Sequence, residues 1–179
     1  MASATCWIAA ATIALSACSG GGSSPATQVP STSTVAAVSP AATPRVDLIR
    51  TAVTALETRL GAPQQYFEIN ATSQLVNLIV ALNDGKKAQP WVYIDGELSS
   101  TDVKDATGFS FASTALDFDP AKVLSKLQAE LPQSSADLFF VEGGEGGAVQ
   151  YSGAVTSRQG GQLVVTVGPD GTVRSVAPS

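Results

Sequence analysis

The 179-residue chain predicts an α+β fold, an antiparallel sheet with helices packed on one face, assembled from two degenerate α-β-β-β units. Three observations lead there. Single amphipathic helical segments alternate with runs of strand-like segments. Turn signals recur at one spacing: Gly160 falls 75 residues after Gly85, and Asp170-Gly171 falls 75 after Asp95-Gly96. Every charged side chain lies at or beyond Arg45, which confines the folded part to 45–179 as a single domain, with the two units at 45–98 and 117–179.

Each element has a local cause. In 45–60, RVDLIRTAVTALETRL, the residues Val46, Ile49, Ala52, Val53, Leu56 and Leu60 recur at three-and-four spacing and form one apolar stripe. Thr43 fits the N-cap, Pro44 the first helical position, and Gly61 with Pro63 the stop. QYFEINAT (65–72) reads as a strand, and QLVNLIVALND (74–84) as a longer one that turns at Asn83-Asp84-Gly85. PWVYID (90–95) is a third strand, closed by Asp95-Gly96. A polar stretch (99–107) and a short strand candidate, GFSFAST (108–114), follow.

The order then recurs. Asp119 fits an N-cap before Pro120, and AKVLSKLQAEL (121–131) places Val123, Leu124, Leu127 and Leu131 on one side before Pro132 ends it. Strands are expected at 137–142, 148–157, 162–167 and 172–177, the last two joined by Gly168-Pro169-Asp170-Gly171. This layout is similar to the tandem helix-plus-sheet repeats of PepSY-type and β-lactamase-inhibitor-type exported proteins. The likeness rests on element order and transfers no function.

The first 44 residues are of another kind. ATCWIAAATIALSA (4–17) is uncharged and apolar, too short for the roughly 20 residues that span a bilayer core but suited to a secretory signal. MASAT supplies no Lys or Arg, so either a start lies upstream or the signal is a weak one. Leu15-Ser16-Ala17-Cys18 resembles the lipobox of bacterial lipoprotein signal peptides. That resemblance implies that residues 1–17 are removed, that the Cys18 sulfur receives diacylglycerol, and that the new amino terminus is acylated with a palmitate-like chain. An ordinary secretory peptide with a chance cysteine is the competing reading. An Ala-rich, Lys-poor composition fits a high-GC, actinobacterial source.

Two or more acyl chains on one residue hold a protein stably at a membrane, where one holds it only marginally. The resemblance therefore places the domain on the outer side of the cell membrane. With Cys6 lost and Cys18 acylated, no thiol remains for a disulfide, and an exported domain must depend on its core. Residues 19–44, together with Cys18, read as a spacer of Ser, Thr, Ala, Pro and Gly, either disordered or an O-glycosylated stalk. A flexible chain of that length has a root-mean-square span of about 28 Å.

Composition removes several function classes. A net charge of −5 with no basic cluster lacks the footprint that neutralises phosphates, so no nucleic acid is expected as a partner. The chain has no histidine, which excludes imidazole acid/base catalysis and His-ligated zinc. Carboxylates remain. Asp117 and Asp119 could pair, although Asp119 is better read as a helix cap; Asp95 and Glu97 flank a turn glycine. VEGGEGGA (141–148), with Glu142 and Glu145, is Gly-rich but lacks the lysine of a phosphate loop, and offers few ligands for calcium. Ser125 with Lys122 or Lys126 is a conceivable Ser–Lys pair without a convincing context, and Asn70-Ala71-Thr72 is a glycosylation sequon only in a eukaryotic path. No cofactor, metal or catalytic residue is expected.

One feature favours binding. In LVNLIVAL (75–82) and WVYI (91–94) apolar residues occupy both alternating faces, so the far face of the sheet should pack on the other repeat or carry an apolar surface for a lipid or protein partner. The expected role is a non-catalytic envelope lipoprotein that presents an interaction domain. A carrier of hydrophobic envelope lipids is the alternative, and a hydrolase a remote third.

Overall fold

A computed structural model describes residues 43–179; Cys18, the signal and most of the spacer lie outside the described residues. Helix α1 (Ile49–Leu60) is followed by β1 (Gln65–Ala71), β2 (Val76–Leu82), β3 (Lys87–Ile94) and β4 (Glu97–Ser100). Two short pieces, β5 (Lys104–Asp105) and β6 (Phe111–Ala112), lead to α2 (Pro120–Glu130), and β7 (Ser134–Gly143), β8 (Val149–Ser157), β9 (Gln162–Val167) and β10 (Val173–Pro178) complete the chain. All pairings are antiparallel, and the strand order is β10-β9-β8-β7-β1-β2-β3-β4, with β5 beside β3 and β6 beside β1.

This corrects the expected fold class. The molecule is dominated by one ten-stranded antiparallel sheet, with 45% of the described residues in strands and 23% in helices, rather than a balanced α+β arrangement with helices packed on one face. The α-β-β-β units and the PepSY-like or β-lactamase-inhibitor-like layout fall with it, since each helix leads into four strands. The missed strand β4 is short and, Leu98 apart, polar, ELSS, and exists because the Asp95-Gly96 turn folds it back on β3. Two helices of 12 and 11 residues cannot roof eight strands spaced about 4.8 Å apart, so irregular chain completes the cover. That chain is the 106–119 segment, which inserts Phe111, Leu116 and Phe118.

The core lies between that cover and one sheet face. Tyr66, Ile69 and Ala71 of β1, Val76, Leu78 and Val80 of β2, and Trp91 and Tyr93 of β3 are buried, as are Phe139 and Val141 of β7 and Val165 and Val167 of β9. Period-two alternation makes this one face of a continuous sheet. Phe118, Phe139 and Tyr151 form an aromatic cluster with ring centroids 5.5–6.2 Å apart. Arg50 of α1 lies 5.4 Å over the Phe118 ring and donates to the carbonyls of Leu116 and Phe118, at 2.9 and 3.3 Å, tying the first helix to the strap before the second.

Local chemistry explains the element ends, with one exception. Gly61 takes φ 78° beyond α1, the left-handed C-terminal position that glycine tolerates. Thr43 and Pro44 do not open the helix as expected. A 3-10 turn, Val46–Leu48, precedes α1, and the Arg45 N–H donates to Thr72 O at 2.8 Å, so a tertiary contact displaces the local start signal. At α2 the expectation matches: Asp119 Oδ1 accepts from the N–H groups of Ala121 and Lys122, and Pro120 follows. Strand β3 starts three residues before the expected Pro90, whose missing N–H falls between the β4 and β5 pairings.

Candidate functional site

The two halves join edge to edge. β1 pairs with β7 at Glu68↔Glu142, Ile69↔Val141, Asn70↔Phe140 and Ala71↔Phe139, and among the described residues no helix or strand covers the far face of the sheet. The expected packing of that face against the other repeat is therefore replaced by an open surface. Its apolar members are half-buried to exposed: Ile79, Val92, Leu138 and Phe140 are half-buried, and Ile94 and Val164 are 40% and 41% exposed. This is the two-faced apolar pattern read from β2 and β3, now located on the unroofed side.

Polar groups run through the middle of the surface. Asn77 Nδ2 donates to Asn70 Oδ1 at 2.8 Å, and Asn70 Nδ2 donates to Glu68 Oε1 at 2.6 Å. On the second half, Ser152 Oγ of β8 donates to Glu142 Oε2 of β7 at 3.3 Å. Glu68 and Glu142 are direct register partners, and like charges in directly opposed positions destabilise a sheet. Glu97, opposite Ile94, adds a third carboxylate on the same face; the basic strand residue there is Lys104, opposite Ala88 at a corner. The surface thus combines apolar patches with an acidic centre.

The sequence-nominated residues fall elsewhere and are occupied structurally. Asp119 is the cap of α2, and its carboxyl is held below the usual range by the Lys122 N–H foremost, with the Lys122 ammonium 3.4 Å away. Asp117 is exposed, and its backbone N–H donates to Tyr151 Oη at 3.0 Å. Ser125 Oγ donates to Lys122 O, while Lys126 Nζ sits 2.6 Å from Asp170 and 3.1 Å from Thr172, so no Ser–Lys pair forms with Ser125. Asp95 is one of two left-handed residues in the β3–β4 turn (φ 51°), and Glu97 opens β4. Glu142 lies in β7, and Glu145 starts a 3-10 turn, Glu145–Gly147, in the β7–β8 loop. Among the described residues no three Asp, Glu, Cys or His side chains converge as a metal site would need.

Two recesses flank α2 and the sheet end. An apolar groove of about 370 Å³ runs beside α2, lined by Leu124, Leu127, Leu131, Ala136 and Val155 with Thr43 at one end. It is a groove, not an enclosed cavity. A second cleft, about 460 Å³, opens between the 115–117 strap and the β9–β10 turn, with Asp117, Tyr151 and Arg174 on its walls. Sequence reasoning missed Glu68 and Arg174. Neither stands in a motif, and their surroundings arise from register and chain reversal; the one available signal was Glu68 at a polar position of an alternating strand.

Known proteins add little. No family model and no curated protein matches the chain. It is similar to a solved structure of a candidate lipoprotein from Clostridium difficile 630, at 8% identity and a TM-score of 0.47, covering 79% of this chain and 97% of that one. A likeness at that level transfers neither fold nor function. Among the described residues no helix is long and apolar enough to cross a membrane.

Proposed function

We propose that this chain is an exported bacterial lipoprotein, held at the outer side of the cell membrane through acylated Cys18, whose 45–179 domain is a non-catalytic module that binds a protein partner. The observation that carries the binding role is the open sheet face. Its apolar residues are surplus to a domain with its own core, and its opposed carboxylates, Glu68 and Glu142, leave a repulsion that a partner's Lys or Arg relieves. The same negative charge disfavours a second copy of the chain and an anionic lipid surface as occupants. The partner is accordingly a protein surface with basic and apolar side chains.

Non-catalytic use fits the structural employment of Asp119, Ser125 and Lys126 as cap, backbone-bonded hydroxyl and ion-pair cation. The lipid-carrier alternative would be favoured by an enclosed apolar chamber, and the recess beside α2 is an open groove. Photo-crosslinking groups placed at Val92, Phe140 and Val164, with Thr54 and Gln128 as helix-side controls, test the binding role in living cells. The expected result is one discrete adduct from the sheet-face positions alone; equal adducts from both sets, or none, would overturn it. Turnover of an ester, peptide or glycan by the purified protein would overturn the non-catalytic assignment. Mass spectrometry of the membrane fraction, before and after Cys18→Ala, tests the anchor.

A further inference from the structure

The cleft between the 115–117 strap and the β9–β10 turn is independent of Cys18 and lies at the sheet end, where Gln150, the register partner of Glu142, forms part of its wall. Three groups converge on it. Asp117 and Arg174 are both exposed, carry opposite charges and line the same 460 Å³ cleft, yet among the described residues neither belongs to an ion pair. Neighbouring charges are paired: Asp119 faces Lys122, and Asp170 faces Lys126. Tyr151 is the third group. Its ring is only 5% exposed, wedged against Phe118 and Phe139, while its hydroxyl reaches the cleft and accepts the Asp117 N–H. That bond uses an acceptor position and leaves the hydroxyl proton to be donated.

Asp117 and Tyr151 are fixed to each other by a hydrogen bond, and Arg174 lies along the β9–β10 turn. Asp117 precedes the α2 cap and is held through its own N–H to a buried tyrosine. The Arg174 guanidinium lies against Gly168, close enough that a Cβ there would stand 3.4 Å from Nε. Val149, Val167 and Ala115 supply apolar wall. An acid and a guanidinium held apart on one recess, with a hydroxyl donor on its floor, match a small molecule carrying both charges. We propose that this cleft binds a small zwitterion, a free α-amino acid or short peptide, with Asp117 receiving the ammonium group, Arg174 the carboxylate, and Tyr151 Oη donating to the same carboxylate.

Amide-resolved NMR of the full detergent-solubilised chain tests this with glycine, L-alanine, D-alanine and D-alanyl-D-alanine as probes, each compared with its N-acetyl and C-terminal amide derivative. Both charges are exposed, so binding on the order of 1 mM is the expected scale. The expected result is a saturable shift at the amides of Asp117 and Tyr151 with at least one probe. Blocking either terminus should weaken it about tenfold, as the loss of one charge-assisted hydrogen bond does. Asp117→Asn should remove the preference for a free ammonium alone, and Arg174→Gln the preference for a free carboxylate alone. No shift with any probe, equal shifts from the blocked derivatives, or both variants behaving as the parent would each overturn the proposal. Tyr151→Phe, which keeps the ring in the core, should weaken binding without moving the melting temperature more than marginally; a large thermal loss with unchanged affinity would assign the hydroxyl to folding and count against its role here.

Discussion

The two halves of the sheet solve one problem by different means. Each sends a helix into a four-stranded meander, and the first strands, β1 and β7, meet at the centre while β4 and β10 lie at the outer ends of the main strand order. The turns match as well: Gly85 and Gly160 sit in the second turn of each meander with φ 77° and 92°, and Gly96 and Gly171 in the third with φ 88° and 84°. What differs is how each helix is tied to its own edge. In the first half Arg59 of α1 donates to Leu98 O at 3.0 Å and lies 5.3 Å over the Trp91 ring. In the second, Lys126 of α2 reaches Asp170 in the β9–β10 turn, and the turn presses on the helix so closely that Gly171 has no room for a side chain. One tie needs a carbonyl and a ring; the other needs an ionised carboxylate and a glycine.

The largest expected effect lies in the packing that only the second half has. Phe139 is 1% exposed and touches both Phe118 and Tyr151, so Phe139→Ala should cost about 3–5 kcal/mol. Ile69→Val at the central seam, which deletes one methyl, should cost about 0.5–1.5 kcal/mol, both read by denaturant unfolding.

The equivalent turns give the cleanest contrast. A Cβ on Gly171 would stand 2.6 Å from Val123 Cα, so Gly171→Ala adds a backbone clash to its left-handed strain and should cost about 3 kcal/mol or more. Gly96 meets nothing within 4 Å, and Gly96→Ala should cost only the left-handed penalty of about 1–2 kcal/mol. If the two changes proved equally harmful, the close docking of α2 on its turn would be wrong.

Acid should separate the halves next. The Lys126 hydrogen bond foremost, then those from Thr172, hold the Asp170 carboxyl well below the usual carboxylate range. A depressed carboxylate stabilises the fold fully above its unfolded value, near 3.9, and loses that contribution as pH falls through the folded value. Hydrogen exchange measured from pH 4 downward should therefore show α2 and the β9–β10 turn losing protection before α1 and β4. Arg59 stays charged throughout, and neither of its partners titrates there. The Lys87–Asp105 pair of the first half lies beside β5, and the Arg45–Asp47 pair, which also depresses a carboxyl, lies before α1, so the comparison is read at the last turns of α1 and at β4.

The smallest effect belongs to the seam. Glu68→Gln should relieve repulsion with Glu142 and raise stability by a few tenths of a kcal/mol, within the roughly 0.2–1 kcal/mol of cross-strand pairs, while weakening the proposed basic partner.

Much of this contrast could be read from local patterns. The Asp119-Pro120 start, the α1 stop at Gly61, and the paired glycine turns all rest on signals within a few residues, and the structure places them as the patterns require; of the expected α1 stripe, Leu60 in the last turn is instead 40% exposed. The α1 start was misread because the Arg45 N–H finds Thr72 O, a partner 27 residues away that no local signal reveals. β4 was missed because four residues at an edge, with Leu98 alone among three polar neighbours, show no apolar alternation to betray them. The open face was half legible: two apolar faces were visible in β2 and β3, but not which of them the chain would roof.

The sequence by itself determined where helices and turns form, and that the charged, core-bearing part begins at Arg45, because these depend on side-chain period and backbone preference over short spans. Only the tertiary structure decided that β1 pairs with β7, that Glu68 therefore opposes Glu142, and that Asp117 and Arg174 line one cleft. The physical reason is that any strand can offer its backbone hydrogen bonds to any other. Which edge accepts them is settled by the burial of the whole face, a sum over residues far apart in the chain.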